Sequence, residues 1–463
     1  MRSCVSGSDV PVADHPGTPP PLHRGLPVLG SALALFRNPV AFLLAAHRRH
    51  GPIFRVRALH HHYVVLAGAE ANAFVHEAGK DHLSARKFWR PFLREIEAPN
   101  SIVGLEGDDH TAVRRLLAPS MSKAAGERRL ADFVRITTEG FQDVQPDDTI
   151  AFVPFAQRLV SRQVGWALTG RIPTPAEHDA VLEYMRSVSV NLALRRLPPW
   201  VLRFAGRRFR NAKRTTFAFA EDVVGRANGG HGDRRGYVAD IHATAARLPH
   251  LFTDGDLRGA GILPFFAGVD TVGQTLAFAV YEVLRRPALL ARLRAELDPV
   301  LAQGVPSPED LRAMTTLQGV ILETLRIHPT AFGISRTAAS PFTFAGRRVE
   351  AGDDVLVFTT ACHFKPEHFP DPQRFDPDRC LPPREEHRQP NVFAPFGRGS
   401  HACLGASFSL VQLATTLGTM LHRFDLVLPD RDREYPVTLM PTPSLGPRFA
   451  VRFAGRRTPI ATV

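Results

Sequence analysis

The stretch from about Asp254 to Arg286 constrains this chain more than any other. Thr253 or Asp254 can cap its start, and Pro287 must end it. A helix of that length spans roughly 50 Å. From Ile262 to Val283 it is largely apolar on every face. A helix apolar all round has to be buried. The chain is therefore expected to fold as a large body around one central helix that crosses its interior. Pro264 removes a hydrogen bond from that helix and predicts a kink.

The remaining pattern suits such a body. Residues 39–50, 69–78 and 308–327 read as helices, and 108–300 is mostly helical. Leu410, Leu413, Leu417, Leu421 and Phe424 continue a helix from about 404. Residues 53–56 and 63–67 favour strands, and 335–360 reads as short strands and turns. The expected fold class is mainly α with a smaller β region. Residues 1–24, with Pro16, Pro19, Pro20 and Pro21, read as a flexible Pro-rich lead, and 25–463 as a single domain.

The formal charge of +12 comes almost wholly from arginine, since only five of the 463 residues are lysine. No helix-turn-helix or zinc-finger pattern accompanies it, so no nucleic-acid partner is expected. A basic surface does favour an acidic protein partner. Four scattered cysteines, Cys4, Cys362, Cys380 and Cys403, exclude a disulfide framework and fit a reducing cytoplasm. No segment reads as a membrane span or a signal peptide. The run His60, His61, His62 reads as a turn or exposed edge, not a metal site.

Cys403 sits in F-A-P-F-G-R-G-S-H-A-C-L-G, between Gly397, Gly399 and Gly405 and just before a helix. Glycine permits tight turns and close backbone approach. The unpaired amides of a helix start stabilise a thiolate. A catalytic nucleophile, a metal ligand and an inert buried thiol are the alternatives. Zinc needs further ligands at short spacing, and none is present. A single axial thiolate on haem iron needs none.

With Phe396, Gly399, His401, Cys403 and Gly405 in order, the segment resembles the signature of the cytochrome P450 family. Histidine at 401 is the less common form. The resemblance extends to three other motifs and nearly the whole chain, and implies the cytochrome P450 fold with a long central helix over haem b. In E-T-L-R, Glu323 and Arg326 would form a structural triad with Arg374. In A-G-V-D-T, Asp270 and Thr271 would pass protons to bound dioxygen as the catalytic pair. His110, Arg114, Arg336 and His401 would meet the haem propionates, with Phe396, Gly397 and Gly405 shaping the loop under the iron. By position in the family, Trp89, Phe92, Leu192, Phe266, Val269, Ala331, Phe332 and Leu445 would line an apolar substrate pocket.

The implied function is a monooxygenase that hydroxylates or epoxidises an apolar small molecule, with a secondary metabolite of a bacterium as the expected class. No fused electron-transfer domain is evident, so electrons would come from a ferredoxin and reductase fed by NAD(P)H. A peroxygenase or isomerase and a non-catalytic haem sensor are the alternatives, and neither needs Asp270-Thr271. Residues 195–214, where arginines alternate with aromatics, would lie in the lid of the substrate channel and suit contact with a membrane surface.

Overall fold

A computed structural model describes residues 17–193, 206–228, 236–438 and 442–457. The expected central helix is present as Asp254–Leu284. Thr253 and Asp256 close its first turn with a reciprocal capping box, each side chain accepting the other's backbone N–H. The helix continues without a break through the buried Pro264, which leaves the Ala260 carbonyl without its helical donor. By length and mean hydropathy, 1.3, this one helix would also pass for a membrane span, contrary to the sequence reading. It is instead a core element: 67% of the window is buried inside the protein.

Helices pack around it. Phe152–Val164 lies closely along it, as do Gly206–Asn228 and, on another side, Ala406–Arg423 and Thr315–Ile327. Close approach is set by small residues. A Cβ on Gly273 would stand 3.2–3.3 Å from Gln157, and one on Gly261 3.1 Å from the Ala220 backbone. The largest apolar core runs through these helices and includes Phe265, Leu276, Phe278 and Leu417.

The β region is one five-stranded sheet, ordered β1-β2-β8-β5-β3, and two small ones. Its strands are β1 (Ile53–Ala58), β2 (His61–Ala67), β3 (Leu83–Ser84), β5 (Ile334–Ala338) and β8 (Asp354–Phe358). All pairs are antiparallel except β2 with β8. His61 and His62 open β2 opposite Ala58 and Arg57, and His60 lies in the hairpin turn. No cluster of three metal-binding side chains occurs among the described residues.

Two sequence expectations change. Residues 308–327 form two helices, Pro308–Ala313 and Thr315–Ile327, not one. Glu296, from another helix, accepts the Thr316 and Leu317 amides at 2.8 and 3.0 Å and so caps a second helix start. The Pro-rich lead is also less free than expected. Its residues 1–16 lie outside the described residues, but from 17 it is pinned. Arg55 exchanges backbone hydrogen bonds with Pro21 and His23 at 2.8 Å, and Thr18 bridges to Arg347.

Candidate active site

The cysteine loop turns tightly before the helix Ala406–Arg423. Gly397 and Gly399 hold positive φ of 72° and 82°, and a Cβ on Gly399 would press to 2.7 Å from the Val75 carbonyl oxygen. Gly405 has an ordinary φ of −87°, and a Cβ there would meet only Met121 Sδ, at an unstrained 3.9 Å. Its contribution is its N–H, which with that of Ala406 faces the Cys403 sulfur. The Cys403 amide donates to the Phe396 carbonyl at 2.9 Å and closes the loop.

Cys403 is at once solvent-accessible and surrounded by protein. That combination places its sulfur on the wall of a recess. Burial raises its thiol pKa, and the Gly405 and Ala406 amides and Arg114 pull the other way without prevailing. The helix start therefore acts in the expected direction but is too weak alone to make a thiolate. A bound metal cation deprotonates a coordinating thiol outright. Burial pushes the Cys362 thiol up to about 11 and the Cys380 thiol higher still, and both are enclosed. Of the described cysteines, only Cys403 is accessible to a ligand.

Basic side chains converge near this recess. His110 and Arg114 come from the helix Gly107–Leu117, Arg336 from β5 and His401 from the loop. The His110 and His401 rings stack with centroids 4.0 Å apart. Burial, then His401 and Arg114, lower the His110 pKa to about 4, so it is neutral at pH 7. Burial lowers the Arg336 pKa to about 10. Its one hydrogen bond goes to the Ser335 carbonyl, 2.8 Å away, and no carboxylate pairs with it among the described residues. Glu106 lies across the cluster, its Oε2 3.5 Å from His401 Nε2. Burial opposes its ionisation, but His401, Ser84 and the Ala85 amide prevail and hold its pKa at about 2. A nearly buried guanidinium that has no ion pair, and feels Glu106 only at longer range, is costly and calls for a further anion. An accessible thiol in a recess, with cations at its edge, fits a flat iron-binding group that carries carboxylates.

Removing Arg336 should separate binding from folding. Arg336→Leu is expected to leave the apoprotein as stable as the parent, or more so, because an unpaired buried charge goes. It should also release haem on the order of tenfold faster, since a charge-assisted hydrogen bond is worth about 1.5–3 kcal/mol. Urea unfolding of the apoprotein and haem transfer to an acceptor protein check the two halves.

Behind the loop, Glu323 and Arg326 form a fully buried pair, with Nε–Oε2 at 2.7 Å and Nη2–Oε1 at 2.8 Å. The third member is not Arg374. The Arg374 side chain is exposed, and only its carbonyl meets the pair. Arg379, 1% exposed, reaches Glu323 Oε1 at 3.2 Å and also binds Glu386 and the Asp371 carbonyl. Both arginines follow a D-P-x motif five residues apart, and the chain buries the second. The sequence reading also missed His363. Burial drives its pKa down to about 3, so the ring is neutral. Its Nε2 accepts the Ala394 amide at 3.0 Å, and its Nδ1 donates to the Arg326 carbonyl at 3.1 Å. This ring couples the triad to the cysteine loop.

On the central helix, the Thr271 hydroxyl donates to the Ala267 carbonyl at 2.7 Å. Asp270 Oδ1 accepts from Gln157 Nε2 at 2.7 Å and Gln274 Nε2 at 3.2 Å. Gln157, another residue missed in the sequence, receives a bond from Arg186 at 3.1 Å. Asp270, Gln157, Gln274 and Arg186 line a cavity of about 260 Å³ with Val153 and Ser444, and Thr271 is not among its lining residues. Of the expected pocket residues, Trp89, Phe92 and Phe266 meet, with ring centroids 5.6 and 5.3 Å apart, and Val269 is buried on the same helix. Phe332 packs against Phe358 in a separate cluster, Ala331 is exposed, and Leu445 is buried in the main core. The Leu192 side chain lies outside the described residues, as do 195–205 of the expected lid segment.

A cytochrome P450 family model matches residues 19–446. The chain belongs to the cytochrome P450 family. Members of this family hold haem through a cysteine thiolate and act as monooxygenases with external electrons. Cyclooctat-9-en-7-ol 5-monooxygenase of Streptomyces melanosporofaciens is 28% identical over 423 residues, 87% of this chain and 88% of that protein. Cyclooctatin synthase of the same organism is 26% identical, over 86% and 88%. Putative cytochrome P450 139 of Mycobacterium tuberculosis is 27% identical, over 84% and 91%. The solved structure of retinoic acid-bound cyanobacterial CYP120A1 superposes with a TM-score of 0.82 at 21% identity, covering 95% of this chain and all of that one. That likeness establishes the P450 fold.

Proposed function

We propose that the protein inserts one oxygen atom from dioxygen into an apolar small molecule, by hydroxylation or epoxidation, with haem b held by Cys403. Haem, when bound, supplies dioxygen activation, and its thiolate ligand favours O–O cleavage. His401, His110, Arg114 and Arg336 hold the propionates. Phe396 and Gly397 shape the loop beneath. Glu323, Arg326 and Arg379 keep that loop in place.

The observation that carries the catalytic reading is the setting of Asp270. It is a carboxylate in an apolar helix, held by two glutamines at the edge of a cavity that Arg186 also lines, with Thr271 next in the chain. Asp270 lines that cavity. The Thr271 hydroxyl donates to Ala267 and keeps its lone pairs free to accept; to relay a proton it takes one on and turns its own from Ala267 to the acceptor. A haem sensor, a peroxygenase or an isomerase has no use for this arrangement. Thr271→Ala is expected to cut product formed per NAD(P)H consumed by about tenfold to 10²-fold, with hydrogen peroxide rising in step. Unchanged coupling would remove the proton-relay role.

The cluster of Trp89, Phe92 and Phe266 supports an apolar substrate. Two relatives are named for making cyclooctatin or oxidising cyclooctat-9-en-7-ol, which favours a bacterial secondary metabolite. Spectral titration with a panel of terpenoid and polyketide ligands tests the class, and shifts confined to charged ligands would reject it. An acidic ferredoxin, with its NAD(P)H-fed reductase, fits the Arg-rich chain as electron donor.

A further inference from the structure

Between Asp14 and Glu70 the chain has no acidic residue and no lysine, but six arginines. The same segment holds most of the large apolar side chains that face water. Among the described residues, only Trp166, Val305 and Val437 are comparably exposed elsewhere. Scattered exposed side chains are ordinary, whereas a gathered patch marks a contact surface.

The patch is contiguous by its hydrogen bonds. Leu26 and Gly30 pair both ways at 2.9 Å and close a turn with Val28 at its tip. The Leu59 amide, from the β1–β2 hairpin, donates to the Leu29 carbonyl at 3.0 Å. Arg57 braces the two turns by donating to the carbonyls of Leu26, Val28 and Leu59. The short helix Ala32–Arg37 follows at once, buries none of its residues, and adds Leu33 and Phe36. Val28 is 77% exposed, Phe36 61% and Leu26 51%.

Val28 is also strained. Its φ is +59°, a region where a β-branched residue is an outlier and Gly or Asn is at ease. The chain thus holds an unfavourable side chain, in an unfavourable backbone conformation, pointing into water. Arg24 and Arg37 are exposed around it, and none of Arg24, Arg37 and Arg57 has an ion-pair partner among the described residues. Apolar side chains that can insert, with exposed Arg24 and Arg37 in a segment free of acids, match the chemistry of an anionic bilayer: acyl chains beneath negative headgroups.

We propose that this N-terminal face docks the protein on anionic lipid membranes. The residues that form it lie outside 195–214 in the sequence, and its reading does not depend on turnover. Docking of this kind combines apolar insertion with charge attraction, so it weakens as salt screens the arginines.

The test uses the full-length holoprotein and vesicles of phosphatidylcholine, with and without phosphatidylglycerol. The protein is expected to co-sediment with the anionic vesicles, less so as salt rises, and to stay in solution with phosphatidylcholine alone. A Leu26→Ser, Val28→Asn, Phe36→Ser variant should bind at least about tenfold more weakly. Asparagine suits the backbone at 28, and an unchanged reduced carbon-monoxide spectrum shows that the variant is folded. Deleting residues 2–16 should leave binding in place. The proposal fails if the parent ignores anionic vesicles, if the triple variant binds as well as the parent, or if the deletion abolishes binding. It fails equally if the parent forms a dimer that the variant loses while neither pellets with lipid, because a second copy then covers the face.

Discussion

Cys403→Ala is expected to abolish monooxygenase turnover and the thiolate spectrum while leaving the fold intact. The Cys403 side chain is accessible in its recess, and two helix-start amides and Arg114 act on its sulfur. Removing it creates no core cavity, so apoprotein stability should change by less than about 1 kcal/mol. Circular dichroism and urea unfolding would show the preserved fold, and the reduced carbon-monoxide spectrum the lost ligand. Cys362→Ala makes the opposite contrast. That thiol is buried against Phe369 and Val392, so the change should cost some stability and leave the spectrum alone. If Cys403→Ala kept the thiolate signature, another cysteine would have to hold the iron.

The second large effect is on stability. Arg379→Ala removes one partner from a fully buried ionic cluster and leaves Glu323 with Arg326 alone. Breaking such a cluster from one side costs about 3–5 kcal/mol, a large share of the roughly 5–15 kcal/mol that holds a domain together. Arg374→Ala, at an exposed side chain, should stay within about 0.5 kcal/mol. Denaturant midpoints of the two variants decide between them. The reverse order would restore Arg374 to the triad. The same Arg379 variant should lose haem readily, because His363 links Arg326 to the Ala394 amide of the cysteine loop.

These two arginines also show where the sequence stops being informative. The motifs that could be read ahead of the structure are those whose physics is local. A capping threonine, a terminal proline, two positive-φ glycines before a cysteine and an Asp-Thr step in an apolar helix declare themselves within a few residues. Arg374 and Arg379 have nearly the same local setting, and only the packing of the chain against the E-x-x-R helix decides which is buried. Glu296 capping Thr316, His363 bridging Arg326 and Ala394, and Gln157 holding Asp270 likewise join residues 20 or more positions apart. No spacing rule announces them. The residues expected to line a pocket divide in the same way. Trp89 and Phe92 share a helix and meet Phe266, while Phe332 was drawn into the packing of the β region.

The catalytic reading of this chain rests on a thiolate from Cys403 bound to haem iron. Reducing the purified holoprotein and adding carbon monoxide tests it in one step. A Soret band strongly red-shifted from that of an ordinary haem protein, absent in Cys403→Ala, is the result expected. A band at the position typical of histidine-ligated haem, in freshly prepared folded protein, would contradict the assignment.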